Sequence, residues 1–328
     1  MAERAPGIRV DLVDGTYELF RHHFGQPALR RSKPAPADGA QAAPGAGGGD
    51  PGPGPGPVST RAGTRGVLGT VLTMLEQGST HLAVATDHVI ESFRNDMWPT
   101  YKSSVGVPEE LTCQFGPLED ALRALGVPVF AMVELEADDA MASAASVADA
   151  DPEVAQVRIW SPDKDLAQCV RGGRVVQVER RTQTVIDEPA VGAKYGVGPA
   201  SIPDWLALVG DSSDGYPGLS GWGPKSASAL LAHYGAIEAV PDDPRQWDDR
   251  VKHDLRGWLR LGVTLAEERR DALLFKRLAT LVVDPSAVGA VADWEWRGPG
   301  EALGEVCERL GAEGMADRAA RLADRRGR

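Results

Sequence analysis

The sequence predicts an α/β protein built on a doubly wound parallel sheet, followed by a smaller helical region. Three observations predict it. Strand-length apolar runs alternate with helical stretches over the first 190 residues. The runs are nearly continuous in hydrophobicity, as strands covered by helices on both faces are. After about residue 190 the strands give way to short helices and Gly turns.

The strand runs are "IRVDLVD" (8–14), "HLAVATD" (81–87), "VPVFAMV" (127–133), "VRIWSPD" (157–163) and "RVVQVE" (174–179). Between them, "TRGVLGTVLTMLEQG", "GPLEDALRALG" and "ADDAMASAASVADA" carry apolar residues at helical spacing. The spacing predicts an α/β core over 1–190, a helical region over 191–285 and a C-terminal helical extension over 286–328. Residues 33–58, "KPAPADGAQAAPGAGGGDPGPGPGPV", hold 15 Gly or Pro and almost nothing to bury. That stretch reads as a flexible insertion in the core, more a spacer than a docking site.

Composition excludes several classes. No run of about 18 apolar residues is available to span a bilayer. The opening "MAERAPG" leads straight into a strand with no long apolar leader, so a soluble, cytoplasmic protein is expected. Three scattered cysteines (Cys113, Cys169, Cys307) without a C-x-x-C indicate neither a zinc knuckle nor a disulfide framework. The adjacent His22 and His23 project about 100° apart on a helix and make no metal pair.

The first strand poses the central question, which is the role of Asp14. "DGT" also ends the signature of aspartate-nucleophile phosphatases, whose attacking carboxylate sits two residues earlier. That position is Leu12, and Asp11 lies on the opposite face of the strand. An aspartyl-phosphate route therefore lacks its nucleophile.

The remaining readings of Asp14 are a helix cap or a metal ligand, and the other strand ends decide between them. Asp87 ends the second strand, and Asp163 and Asp165 follow the fourth. Glu136, Asp138 and Asp139 open the helix after the third, and "VGDSSDG" adds Asp211 and Asp214. Singly, each reads as a helix cap. Together they converge on the edge where ligands bind in doubly wound sheets. Nine clustered carboxylates repel by several kcal/mol unless cations neutralise them. Oxygen-only ligation favours hard ions such as Mg²⁺ or Mn²⁺, and two ions about 4 Å apart clamp a phosphate displacement. The net charge of −12 is unusual for a nucleic-acid binder. Subtracting nine site carboxylates leaves −12 + 9 = −3, so the acidity can belong largely to the site.

In order and spacing, "LVDGTYELFR", "ATDHVIESFRNDMWPTYK", "ELEADDAMA", "SPDKDLAQ" and "GDSSDGYPGLSGWGPKSASALL" resemble the 5′-nuclease family. That family includes the flap endonucleases and the amino-terminal nuclease domain of bacterial DNA polymerase I. The resemblance covers roughly residues 8–32 and 60–285. It implies a PIN-like sheet with a helical arch and a helix–three-turn–helix DNA-binding region. It places all nine acids on metal-binding positions for two Mg²⁺ ions, with Mn²⁺ able to substitute. Glu136, Asp138, Asp163 and Asp165 would anchor the metals most directly, Asp163 and Glu136 counting as catalytic. Arg94 and Lys102 match basic positions at the base of the arch, where they would grip the scissile phosphate. Arg21 matches a basic position in the first helix.

The hairpin "GLSGWGPKSASALL" supplies Gly221, Gly223, Lys225 and Ser226 for DNA phosphates. Trp222 is a better stacking candidate than Trp160 or Trp205, and the family often holds K⁺ at such hairpins. Pro224 stands where a P-loop needs Lys, which excludes an ATPase reading. The chain departs from the pattern at Thr86 and His88, which flank Asp87, and at Gly215. The expected partner is flap, nicked or 5′-ended DNA, or an RNA–DNA hybrid, acted on by a free-standing nuclease. The alternatives are a structure-specific DNA-binding protein with decayed activity and a ribonuclease on the same core.

Overall fold

The computed structural model describes residues 7–25 and 61–328. The Gly/Pro-rich segment 33–58 lies outside the described residues. Six strands form one sheet: β1 (Ile8–Asp14), β2 (His81–Asp87), β3 (Val129–Met132), β4 (Val154–Trp160), β5 (Val175–Glu179) and β6 (Thr184–Ile186). Their order is β3-β2-β1-β4-β5-β6, all parallel except the terminal β5–β6 pair. The first two strands match the expected bounds. The fourth starts three residues earlier, and β6 is an additional short edge strand.

The helices α1 (Gly15–Phe24), α2 (Ala62–Glu76) and α3 (Phe115–Ala124) pack on one face of this sheet. There Leu19, Val67, Leu68, Leu72 and Leu122 meet Val13 and Val84. The opposite face, with Val10, Leu12, Ala83 and Ile159, is covered by α4 (Ala137–Ala150). That helix buries a stripe of alanines, so its axis can approach the sheet closely. The alternation along β1 is the one the sequence predicts, and it leaves Asp14 at the carboxyl end.

A second core holds the helical region: α5 (Glu188–Tyr195), α6 (Ile202–Val209), α7 (Pro224–Tyr234), α8 (Trp258–Glu267) and α9 (Arg269–Ala279). The segment between β2 and α3, which holds the expected arch base at Arg94 and Lys102, carries two short helices, Phe93–Met97 and Glu109–Thr112. The last residues return to the first core. Leu303, Val306 and Cys307 of α10 (Leu303–Leu310) and Leu322 of α11 (Glu313–Arg325) are buried against it. Trp296 anchors this return, its backbone N–H donating to Thr80 O at 2.8 Å and its indole to Leu125 O at 2.8 Å. The three cysteines are free thiols.

Asp11, on the other face from Asp14, is wholly buried. It accepts from Arg158 Nε at 2.7 Å, from Trp160 Nε1 at 2.8 Å and from the Ser79 hydroxyl. Asp11→Ala would leave Arg158 and the indole unpaired at the sheet. Breaking such a pair costs about 3–5 kcal/mol, which urea unfolding measures. A loss below about 1 kcal/mol would contradict this role.

Candidate metal and nucleic-acid site

β1 lies between β2 and β4, so the carboxyl ends of these strands open the crevice where the winding reverses direction. Asp14 and Asp87 are the last residues of β1 and β2. Beyond β4 the loop from Ser161 to Asp165 is held by Gln177, whose amide donates to Ser161 O and Asp163 O. Asp138 enters from the first turn of α4. A cavity of about 410 Å³ opens here, lined by Asp14, Asp87, Asp138, Asp163, Asp214 and Lys102 among others.

Asp138, Asp163 and Asp165 each place one carboxylate oxygen within 4.8 Å of the others. Asp165 Oδ1 is buried with no hydrogen-bond partner. An orphaned carboxylate oxygen facing two other acids is costly unless a cation completes it. The donor set, all carboxylate oxygen, fits a hard divalent ion.

Electrostatics follow from this crowding. Burial, joined by repulsion from Asp87 and Asp163, pushes the Asp14 carboxyl up to about 7 despite the Tyr17 N–H and Ser161 hydroxyl it accepts. Burial does the same to Asp214, also up to about 7, with Asp163 and Glu136 adding and Lys102 opposing. Asp138 and Asp165 are raised well above the carboxylate range by burial and by neighbouring acids. Burial also raises Asp87. For Lys102, burial disfavours the charge, but Asp87 and Glu136 outweigh it and hold the ammonium protonated well above its usual range.

Three of the nine acids are already paired with cations. Asp139 is wholly buried and bridges Arg94 with two bonds of 2.7 Å. Its oxygens also accept the backbone N–H groups of Glu136 and Val282. Glu136 meets Lys102 at 2.6 Å, the Ser92 hydroxyl at 2.6 Å and Arg94 at 3.1 Å. Burial pushes its carboxyl up, but Lys102 and Arg94 outweigh this and hold it below the usual range. Asp211 accepts from Lys164 Nζ at 2.6 Å and Ser213 N at 2.9 Å. These three therefore stand apart from Asp138, Asp163 and Asp165, which have no cation partner among the described residues.

The expectation for Arg94 needs correction. It is 1 % exposed, and its guanidinium also donates to the carbonyls of Leu278 and Thr280. A planar fork saturated by carboxylates and carbonyls is an anchor between the arch base, α4 and the end of α9, not a phosphate grip. Lys102 does line the cavity. Arg21 is turned instead to the buried Glu18, at 2.5 Å.

At the hairpin, Gly221 adopts φ +78°, a left-handed conformation that favours glycine, with the Arg260 guanidinium beside it. Gly223 is extended, at φ −156°, with open space where a Cβ would point. Its N–H and carbonyl are both bonded to the Ser226 hydroxyl, which caps α7 and is thereby occupied. Trp222 is 8 % exposed within the helical core, which corrects its expected role as a stacking platform. Trp160 and Trp205 are core residues too. Lys225 is exposed beside Arg256 and Arg260 along a surface hollow of about 670 Å³. These two arginines were missed: Arg256 sits in the turn before α8 and Arg260 in its first turn, so no helical face in the sequence paired them. Gly215, a departure from the family pattern, has φ +79°, and a Cβ there would lie 2.1 Å from Thr100 O.

Raised carboxyls have a sign consequence. Folded Asp14 and Asp214 hold protons up to about pH 7, whereas the unfolded groups release theirs near 3.8. The folded state thus binds more protons across that window, and metal-free stability falls as pH rises through it. Denaturant melts in EDTA at pH 5.5 and 8 should show the lower stability at pH 8, with Mn²⁺ restoring more there than at pH 5.5. A metal-free protein more stable at pH 8 would contradict the charge crowding.

Comparison with known proteins agrees with this geometry. A family model described as the 5′-3′ exonuclease N-terminal, resolvase-like domain matches residues 9–196, and one for the 5′-3′ exonuclease C-terminal SAM fold matches 197–302. DNA polymerase I of Pseudomonas aeruginosa is 34 % identical over 284 residues, 83 % of this chain and 27 % of that protein. The chain thus spans well under a third of that relative. A 5′-3′ exonuclease of Aquifex aeolicus is 29 % identical over 231 residues, covering 70 % of this chain and 71 % of that one. In fold, the T5 5′-exonuclease solved with zinc has a TM-score of 0.59 at 18 % identity, covering 95 % of this chain and 99 % of that one. The catalytic core of Rad2 solved with DNA has a TM-score of 0.60 at 13 % identity, covering 96 % and 92 %. The strand order, the acid-lined crevice and the two matched models agree, and the chain belongs to the 5′-3′ exonuclease family.

Proposed function

We propose that this protein is a divalent-metal-dependent 5′-nuclease that hydrolyses phosphodiester bonds of branched or 5′-ended DNA, leaving a 5′-phosphate and a 3′-hydroxyl. The observation that carries the reading is the trio Asp138, Asp163 and Asp165, with the orphaned Asp165 Oδ1 between acids. Asp138, Asp163 and Asp165 would hold one ion. Asp14, Asp87 and Asp214, on the wall of the same cavity, supply carboxylates for a second. Mg²⁺ is the proposed ion, with Mn²⁺ able to replace it. When bound, such ions supply Lewis acidity toward a phosphoryl oxygen and water acidified toward neutrality.

This chain's own groups do the rest. The Lys102 ammonium, held by Glu136 on the cavity wall, offers charge-assisted donors to a scissile phosphate oxygen. Gly221 shapes a turn beside Lys225, Arg256 and Arg260, a surface suited to duplex phosphates. The K⁺ expectation for that hairpin finds no support in the contacts there. Among the described residues no helix is long and apolar enough to cross a membrane. The full set of cavity acids favours an active enzyme over a DNA-binding protein whose cluster has decayed.

Cleavage of a 5′-flap oligonucleotide with Mg²⁺ tests the reading. Asp163→Asn should abolish turnover while leaving folding and DNA affinity intact. Lys102→Ala should lower kcat by roughly 10²–10³-fold. Arg94→Ala should instead cost about 3–5 kcal/mol of stability. An Asp163→Asn protein with near-normal turnover, or an Arg94→Ala protein with unchanged Tm, would refute the corresponding assignment.

A further inference from the structure

The two residues that flank Asp87, Thr86 and His88, are tied to one side chain that the metal reading leaves unused. Glu119, on α3, is 2 % exposed. Its Oε1 accepts from the Thr86 hydroxyl at 3.0 Å, and both its oxygens lie 3.1 Å from His88 Nδ1. A carboxylate only accepts, so Nδ1 carries the proton of that bond. Arg123, one turn along the helix, adds a longer contact of 3.4 Å.

Side chains two apart on a strand leave the same face, and the one between leaves the other. The backbone keeps this geometry past the strand end, because His88 N–H still donates to Met132 O of β3 at 2.9 Å. Glu119 therefore grips β2 from behind, at the residues immediately before and after the carboxylate that lines the cavity. From the front, Asp87 Oδ1 accepts the Ala137 N–H at 2.8 Å, while its own N–H donates at 2.8 Å to Thr16 Oγ1 of α1, which packs on the same side as α3. The strand end is thus fixed on both faces, and the two side chains that flank Asp87 are held by one buried carboxylate.

We propose that Glu119 is a positioning residue for metal binding, clamping Thr86 and His88 so that Asp87 is presented to the ion in one orientation. The inference rests on the metal reading above. A ligand carboxylate must be held within about 0.5 Å of its working place, and partners standing behind metal ligands typically set affinity by about 10–100-fold. The sequence places Thr86 and His88 as two separate departures from the family pattern. The structure joins them as two donors to one acceptor.

Titration of the full chain with Mn²⁺, with free ion followed by electron paramagnetic resonance, tests this without any substrate. Glu119→Ala and His88→Ala should each raise the Mn²⁺ Kd by roughly tenfold or more. Leu322→Ala, in the core contact of the C-terminal helix, should lower Tm and leave the Kd unchanged. His88 is half exposed, so its variant keeps the test open if Glu119→Ala fails to fold. Wild-type affinity in His88→Ala, or in a folded Glu119→Ala, would overturn the proposal, as would equal weakening by Leu322→Ala. A wild-type protein that takes up no Mn²⁺ would instead defeat the metal reading itself.

Discussion

The structure depends on a shortage of positive charge at the carboxyl edge of its sheet. Nine acids meet there, and the fold supplies cations for only some of them. Arg94 satisfies Asp139, Lys102 and Arg94 share Glu136, and Lys164 holds Asp211. Asp14, Asp87, Asp138, Asp165 and Asp214 are left with carboxyls pushed upward, chiefly by burial. A buried carboxylate without a counter-charge either takes a proton or takes a metal. The cation-paired acids build the frame, and the unpaired ones build the site.

The same ion pairs join the two cores. Arg94 reaches from the arch base to the carbonyls of Leu278 and Thr280 at the end of α9, and Asp139 receives the N–H of Val282 just beyond. Lys164, between two cavity acids in sequence, ties the sheet to the loop before the hairpin through Asp211. Lys102 N–H donates to Asp214 O at 3.1 Å, and Gly215 lets Thr100 approach that loop. The basic hairpin surface is therefore held at a set distance from the acid cavity.

Much of this was legible in the sequence, because strand alternation and strand-end acids are local signals. β1 and β2 read correctly to the residue, and Asp14, Asp87, Asp138 and Asp163 fell where their strand and helix ends put them. What local pattern cannot show is which acid meets which cation. Asp138 and Asp139 are adjacent in sequence, yet one turns to the cavity and the other to Arg94. Arg94 looked like a phosphate ligand because its partners lie 45 and about 185 residues away. Trp222 looked exposed because its turn is Gly-rich, yet the helical core closes around it. Glu119 gave no signal at all, since its role depends on a helix docking behind β2.

The most direct measurement is anomalous diffraction from crystals of the protein soaked in Mn²⁺. The account predicts strong anomalous density between Asp138, Asp163 and Asp165, and a second peak on the side of Asp14 and Asp87. Crystals that show those carboxylates filled only by water or by a lysine, with the manganese bound elsewhere, would contradict it.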